Sequence, residues 1–388
     1  MKRYLALAAL ALAATALSFA DETTEIYQML YQQAQGLPEK HAALLNLVGL
    51  GDKSTAPILA SALDELLLSG QRYSAPGEQE LYGSTIRVVA QALGDYKYES
   101  AAASLWEAAQ SVPDTLAQAE AIMSLGKMRA LDYAERIALK LQSLNLQPTM
   151  DRDQGEKLAY ACVIALAKLK DPRGFAPVFF AAEGWYSQRV RQQAAQALPD
   201  IAADPTDPIK DIIGHETIER KIRALQAESD SKAEGPRKIE TAVLALNLGH
   251  LQQGRDRTEA KLLSDLRKLA LRMLIINKDS GADAVSGGLA SYQKGFDDEE
   301  RLLALQALGV NGSDPAATAL RDLILQLNSD QKSGIADETR NRMAKAAIEY
   351  AALTKNKIVK PSLMAVSIDD QWSSGIIVAA QAALKAMP

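Results

Sequence analysis

Leucine and alanine recur at intervals of three and four, between polar residues, along almost the whole chain. The pattern is clearest in three segments: Ile86–Asp95, Val190–Leu198 and Arg301–Gly309. Because an α-helix has about 3.6 residues per turn, this spacing places the apolar side chains on one helix face. Runs of β-branched and aromatic residues, which favour strands, are nearly absent. The sequence therefore predicts an all-α protein.

These segments are copies of one unit. Each copy has a leucine late in its predicted helix, and we expect all of these leucines to belong to the core: Leu47, Leu93, Leu125, Leu166, Leu198, Leu248, Leu308, Leu353 and Leu384. Successive leucines lie 31 to 60 residues apart, which leaves room for two helices per copy. Truncation of a core leucine such as Leu198 to alanine is then expected to cost about 2–5 kcal/mol.

Short polar residues precede the predicted helices, where a side-chain oxygen can accept a hydrogen bond from a free backbone N–H group. We predict five such N-cap residues: Asp114, Ser187, Asp298, Asp337 and Ser373. Each copy is therefore predicted to begin and end at defined positions.

The segment Val190–Leu198 reads Val-Arg-x-x-Ala-Ala-x-Ala-Leu, and it stands intact once in the chain. It resembles the HEAT-repeat family, in particular the short, phycobilisome-lyase HEAT-like repeats, here of an exported bacterial type. The resemblance implies an armadillo-like α-solenoid, a superhelix of antiparallel helix pairs whose second helices line the concave face. It does not imply a reaction.

One polar stretch interrupts the repeats. Residues 226–236 contain almost no apolar side chain, which is typical of a solvated loop or hinge. We therefore predict an N-terminal repeat array over residues 21–225, a linker over 226–236 and a C-terminal array over 237–388.

The N-terminus has the pattern of a secretory signal peptide. Two basic residues precede an uncharged apolar run, Leu5–Phe19, and Ser18-Phe19-Ala20 fits a cleavage site. Asp21, at the expected mature N-terminus, is not the cysteine of a lipoprotein. We predict a signal peptide over residues 1–20 and a periplasmic or secreted protein; an uncleaved N-terminal anchor is the alternative. No later segment is apolar over the length of a membrane span.

The composition narrows the classes of partner. The formal net charge is −5, and aromatic residues make up 5% of the chain. Nucleic-acid binding requires a concentrated basic surface and favours stacking aromatics, so we predict no nucleic-acid partner. The single cysteine, Cys162, lies in an apolar run, and we interpret it as a small buried side chain.

Short resemblances to catalytic and metal-binding motifs are incomplete. His215-Glu216-Thr217-Ile218-Glu219 has glutamate where a zinc protease has its second histidine. Ser124-Leu125-Gly126-Lys127 matches one element of penicillin-binding enzymes, but the other two elements are missing. We therefore predict no catalytic residues, no cofactor and no metal site.

One recurrent polar feature is not required for packing. Glutamine stands two residues before the late leucine in three copies, where alanine or leucine would fill a buried position better. If the second helices line a groove, a set of side chains faces it: Arg87, Gln91, Tyr160, Gln192, Gln196 and Gln306. The alternatives are a solvated helix face for the glutamines and, for Arg87, an ion pair with a turn aspartate of a neighbouring repeat.

These expectations favour a non-catalytic scaffold that binds a protein or peptide along its concave face. The alternative is a catalytic or cofactor-handling HEAT protein of the lyase type. The two differ in whether the bound molecule is a polypeptide or a small molecule.

Overall fold

The computed structural model describes residues 22–147, 151–335 and 337–387. Over these ranges the backbone is helical with short turns, and no strand is present. The predicted all-α class is therefore confirmed. The described chain divides into two compact units, one ending at Ala202 and the other beginning at Ala203.

Each unit is a succession of helices. The first contains α1 (residues 22–33), α2 (Leu37–Gly49), α3 (Ala56–Ser69), α4 (Pro76–Tyr96), α5 (Ala102–Ser111), α6 (Thr115–Lys127), α7 (Ala134–Leu146), α8 (Arg152–Leu169), α9 (Phe175–Ala182) and α10 (Gln188–Ile201). The second contains α11 (Thr206–His215), α12 (Ile218–Asp230), α13 (Gly235–Leu251), α14 (Arg257–Ile276), α15 (Asp283–Lys294), α16 (Asp298–Asn311), α17 (Asp314–Lys332), α18 (Glu338–Leu353), α19 (Lys360–Ser367) and α20 (Ser374–Ala386).

Local chemistry explains where many of these helices begin. Asp114 accepts a hydrogen bond from the N–H of Ala117, and Asp337 caps α18 in the same way, as predicted. Ser187 and Ser373 stand at N-cap positions without a side-chain cap bond. The prediction of Asp298 is wrong, because Asp297 caps α16 and Asp298 is its first residue.

In the first unit the even-numbered helices form a row. Helix α4 packs against α2 and α6, and α8 packs against α6 and α10. Helices α4 and α8 also pack against the odd-numbered helices that precede them, and the even-numbered helices contact one another more extensively than the odd-numbered ones do. Two glycines permit this approach: a Cβ at Gly94 would lie 2.8 Å from the Cα of Ser124, and one at Gly126 would lie 2.6 Å from the Cα of Ala165.

The second unit repeats this arrangement by itself. Helices α12, α14, α16, α18 and α20 contact one another in sequence, and each packs against the odd-numbered helix before it. A core cluster extends from α15 to α20 and includes Leu305, Ile324, Ile348 and Leu363. Both units are thus built from helices that pack against their neighbours.

The late leucines are only partly a core set. Leu47, Leu93, Leu125, Leu166 and Leu308 are buried. The prediction is wrong for the other four: Leu198, Leu248 and Leu384 are half-buried, and Leu353 is 55% exposed. Helix α18 buries Ala347, Ile348 and Ala351 instead. Leu353 follows Ala351 by two residues and therefore points away from the buried face.

The polar stretch 226–236 lies inside the second unit. Residues 226–230 end α12, Gly235 begins α13, and four residues separate the two helices. Glu228 is buried and accepts a hydrogen bond of 2.7 Å from the Thr206 hydroxyl, which ties this part of α12 to α11. The boundary between the compact units falls earlier, between α10 and α11.

The predicted signal peptide, residues 1–20, lies outside the described residues. Among the helices that are described, none has the length and apolar character to cross a membrane. Cys162 is buried in α8, as predicted, and its burial raises the pKa of the thiol to about 12.

Candidate functional site

The predicted groove residues lie on four even-numbered helices. Arg87 and Gln91 belong to α4, and Tyr160 belongs to α8. Gln192 and Gln196 belong to α10, whereas Gln306 belongs to α16 of the second unit. The structure therefore brings five of the six into one unit, and we treat the surface of the first unit as the candidate site.

The amides of this site face solvent. Gln91, Gln192 and Gln196 are exposed, and Arg87 and Tyr160 are half-buried. The spacing of four residues places Gln192 and Gln196 on one helix face, and the same holds for Arg87 and Gln91. Among the described residues, these amides form no side-chain hydrogen bond and Arg87 forms no ion pair. Their donors and acceptors are therefore available to a ligand.

A stacked pair joins α8 to α10. The Arg189 guanidinium lies 5.0 Å from the centre of the Tyr160 ring. A cation over an aromatic ring at this distance is attracted by the ring quadrupole. The contact positions Tyr160 beside Arg189 in the first turn of α10, and Gln192 lies one turn further along that helix.

A second arginine–aromatic pair joins the start of α8 to the loop before α10. The guanidinium of Arg152 is 5.7 Å from the centre of the Trp185 ring and donates a hydrogen bond of 2.6 Å to the Trp185 carbonyl. The indole N–H donates to the carbonyl of Leu144, and Glu156 accepts a hydrogen bond of 3.0 Å from the N–H of Ser187. The loop before α10 is thus held against α7 and α8.

Sequence reasoning missed Arg152, Trp185 and Arg189. Tryptophan, tyrosine and arginine dominate the energetics of protein interfaces, and Trp185-Tyr186 is the one pair of adjacent aromatic residues that contains a tryptophan. That rarity was the available signal, but the pairing with arginines on other helices requires the fold.

Helix α6 lies between the two ends of the site. Lys127 Nζ lies 3.0 Å from Asp95 Oδ1 at the end of α4 and 3.0 Å from Glu120 Oε1. Burial favours the neutral amine of Lys127, but these two carboxylates outweigh it and raise the pKa of Lys127. Leu116 adds an exposed apolar side chain to the same helix. The surface therefore combines fixed charge, free amides and apolar contact area.

The histidines are dispersed. His215 is exposed beside Asp211, whereas His250 is half-buried in α13 and forms a 2.8 Å hydrogen bond with the Ser291 hydroxyl. Burial, together with the nearby charge of Arg267, lowers the pKa of His250 to about 4. Within the described parts of the chain, no cluster of three or more histidine, cysteine, aspartate or glutamate side chains has the geometry of a metal site.

The arrangement in the first unit is thus an extended polar and aromatic surface on a row of helices. Known proteins add no assignment to it, because the sequence matches no protein-family model and no curated protein.

Proposed function

We propose that this protein is an exported HEAT-type helical-repeat scaffold that binds a protein or peptide along the even-numbered helices of its first unit. The observation that carries the proposal is the row α4, α6, α8 and α10, which presents free amides next to arginine–aromatic pairs.

The packing of the first unit supports a concave binding face. Its even-numbered helices contact one another more extensively than its odd-numbered helices do, and Gly94 and Gly126 allow a close approach between α4, α6 and α8. A row of closely packed helices is expected on the inner side of a curved array. Solenoids bury their repeats against neighbours and leave this inner surface free for ligands.

The chemistry of the surface favours a polypeptide. Exposed amides such as Gln91 and Gln192 offer both a donor and an acceptor, which match the N–H and C=O groups of an extended backbone. Tyr160 and Trp185, held by their arginines, supply apolar area with little conformational freedom left to lose. Such anchors contribute most of the binding energy in protein interfaces.

Export is part of the same proposal. The signal-peptide pattern of residues 1–20 favours a location in the periplasm or outside the cell, where the partner would be an envelope or extracellular polypeptide. The mass of the exported protein tests this directly: we expect cleavage after Ala20, and a protein that retains residues 1–20 would favour a membrane anchor.

The binding face is tested with peptides selected against the purified protein from a displayed random library. Replacing Gln91, Gln192 and Gln196 with alanine should weaken peptide binding but change stability by no more than about 0.5 kcal/mol, because these side chains are exposed. The matched control is Gln306→Ala in the second unit, which should bind normally.

Tyr160 separates a role of the ring from a role of the hydroxyl. Tyr160→Ala should weaken binding, whereas Tyr160→Phe keeps the ring under Arg189 and should not. Normal binding by both the triple glutamine variant and Tyr160→Ala would show that this face is only solvated. A small molecule that co-purifies in stoichiometric amount would instead favour the lyase-type alternative.

A further inference from the structure

Basic residues occupy an unusual backbone conformation at the ends of five helices. Among the described residues, the non-glycine positions with positive φ are Lys97, Arg129, Lys170, Lys278 and Lys355, with φ between 50° and 58°. Each follows the end of an even-numbered helix. All five are cations, although lysine and arginine supply only 43 of the 388 residues.

Backbone preference does not explain this choice. A side chain in the left-handed region is crowded by its own backbone, and glycine is the residue that adopts it freely. The chain uses glycine at the equivalent turns after α2 and α16, where Gly51 and Gly312 have φ of 68° and 65°. The other five turns have lysine or arginine at this position, despite the steric strain of a side chain at positive φ.

Three of these cations meet at one pocket in the first unit. A pocket of about 440 Å³ lies at the carboxyl ends of α4, α6 and α8. Its lining includes the left-handed Lys97, Arg129 and Lys170, together with Lys127 and Lys168. The close approach of the helices at Gly94 and Gly126 brings these turns together.

The charge of this basic pocket is not neutralised from within. Asp95 is its one acidic lining residue, and Lys127 pairs with it and with Glu120. Among the described residues, the other four cations form no ion pair, and all four are exposed. They are Lys97, Arg129, Lys168 and Lys170. Elsewhere in the first unit, Lys40 and Lys157 are paired with carboxylates.

The helix dipole explains only part of this arrangement. The carboxyl end of a helix carries about −0.5 charge, which favours a nearby cation. Three such ends supply less negative charge than four unpaired cations supply positive charge, so the pocket remains electropositive. A single dipole also gives no reason for cations from three repeats to share one pocket.

We propose that this basic pocket binds a ligand that carries two or more phosphate groups. A phosphomonoester carries about −1.5 to −2 charges at neutral pH, so two of them correspond to the four unpaired cations. Lysine and arginine form strong charge-assisted hydrogen bonds to phosphate oxygens. The volume suits a small ligand or a headgroup. The pocket shares Lys127 and Asp95 with the candidate surface but includes neither Gln192 nor Tyr160, and the proposal does not depend on peptide binding.

The test uses the mature full-length protein with tripolyphosphate as the free ligand and, as the lipid-bound one, cardiolipin, which carries two phosphate groups, in phosphatidylcholine vesicles. The variant Lys97→Gly/Lys170→Gly removes two cations and leaves a residue suited to positive φ, so it should melt no lower than the wild type. We expect its affinity to fall by about tenfold or more. The matched control Lys278→Gly/Lys355→Gly changes the same kind of turn in the second unit and should bind normally.

Binding of either probe, weakened by the pocket variant and not by the control, supports the site; the probe that binds identifies a free or a lipid-borne phosphate. Equal losses in both variants would show diffuse electrostatic attraction and overturn the proposal. Absence of binding to both probes by the wild type at low salt would also overturn it. If the glycine variant melts early, Lys97→Gln/Lys170→Gln replaces it with the same expectations.

Discussion

The buried ion pair between α14 and α16 gives the sharpest stability prediction. Glu300 is fully buried, and Arg267 donates to its two oxygens at 2.6 and 3.1 Å. The Ser264 hydroxyl and the N–H of Phe296 donate to the same carboxylate at 2.7 and 3.0 Å, and Arg267 also donates to the carbonyl of Gly249. This network joins two repeats of the second unit in its interior.

Replacing Glu300 with glutamine should destabilise the second unit by about 3–5 kcal/mol, because it leaves the Arg267 guanidinium buried without a counter-charge. Glutamine keeps one acceptor oxygen but places an NH2 group where the other oxygen accepted hydrogen bonds, so the loss reports the missing charge together with the lost acceptor. Urea unfolding followed by far-UV circular dichroism measures the difference as a shift of the midpoint. Arg267→Met/Glu300→Leu should recover most of the stability, since it removes both charges.

The neighbouring Glu299 is a matched control. It pairs with Arg272 at 2.5 Å and with Lys268 at 3.3 Å, but its side chain is 54% exposed. Exposed ion pairs contribute at most about 1 kcal/mol, so Glu299→Gln should be nearly silent. An equal loss of unfolding free energy in Glu300→Gln and Glu299→Gln would show that the buried ion pair does not couple α14 to α16.

Three further predictions follow from burial. Leu125→Ala should lower the unfolding free energy by about 2–5 kcal/mol, because Leu125 is buried. Leu353→Ala should change it by no more than about 0.5 kcal/mol, because Leu353 is exposed; equal effects would contradict this difference in burial. His250, whose folded pKa of about 4 lies below its unfolded value, stays neutral where the unfolded chain takes up a proton. Stability should therefore fall as pH drops from about 6.5 towards 4, and His250→Gln should reduce that slope in urea titrations; an unchanged slope would contradict the assignment. The Cys162 thiol should react with a disulfide reagent at pH 8 only as fast as the protein unfolds, and immediate reaction would contradict its burial.

Features that depend on short-range chemistry were accessible from the sequence. The helical class follows from apolar spacing, and Asp114 and Asp337 cap their helices because a cap bond forms within three residues. The run that begins at Asp297 shows the limit. Its acidic residues are equivalent in sequence, but Asp297 caps α16 and Glu300 turns inwards to Arg267 on another helix.

Features that depend on packing between repeats were not accessible. Leu353 has the spacing of a core leucine, and only the contacts of α18 show that its face is exposed. The pairing of Tyr160 with Arg189 needs the approach of α8 and α10. The left-handed turn at Lys97 was equally hidden, since sequence patterns associate that conformation with glycine. The glutamines were identified from the sequence, and that they contact a ligand is a prediction.

We propose that a polypeptide partner contacts the even-numbered helices of the first unit. A photo-reactive amino acid placed at Gln192 in α10 tests this proposal in intact cells that produce the protein. The matched position is Gln142 in α7, which is also exposed but lies on an odd-numbered helix. We predict that irradiation links a polypeptide to the protein from position 192 and not from position 142. Cross-links from position 142 alone, or from neither position, would contradict the account.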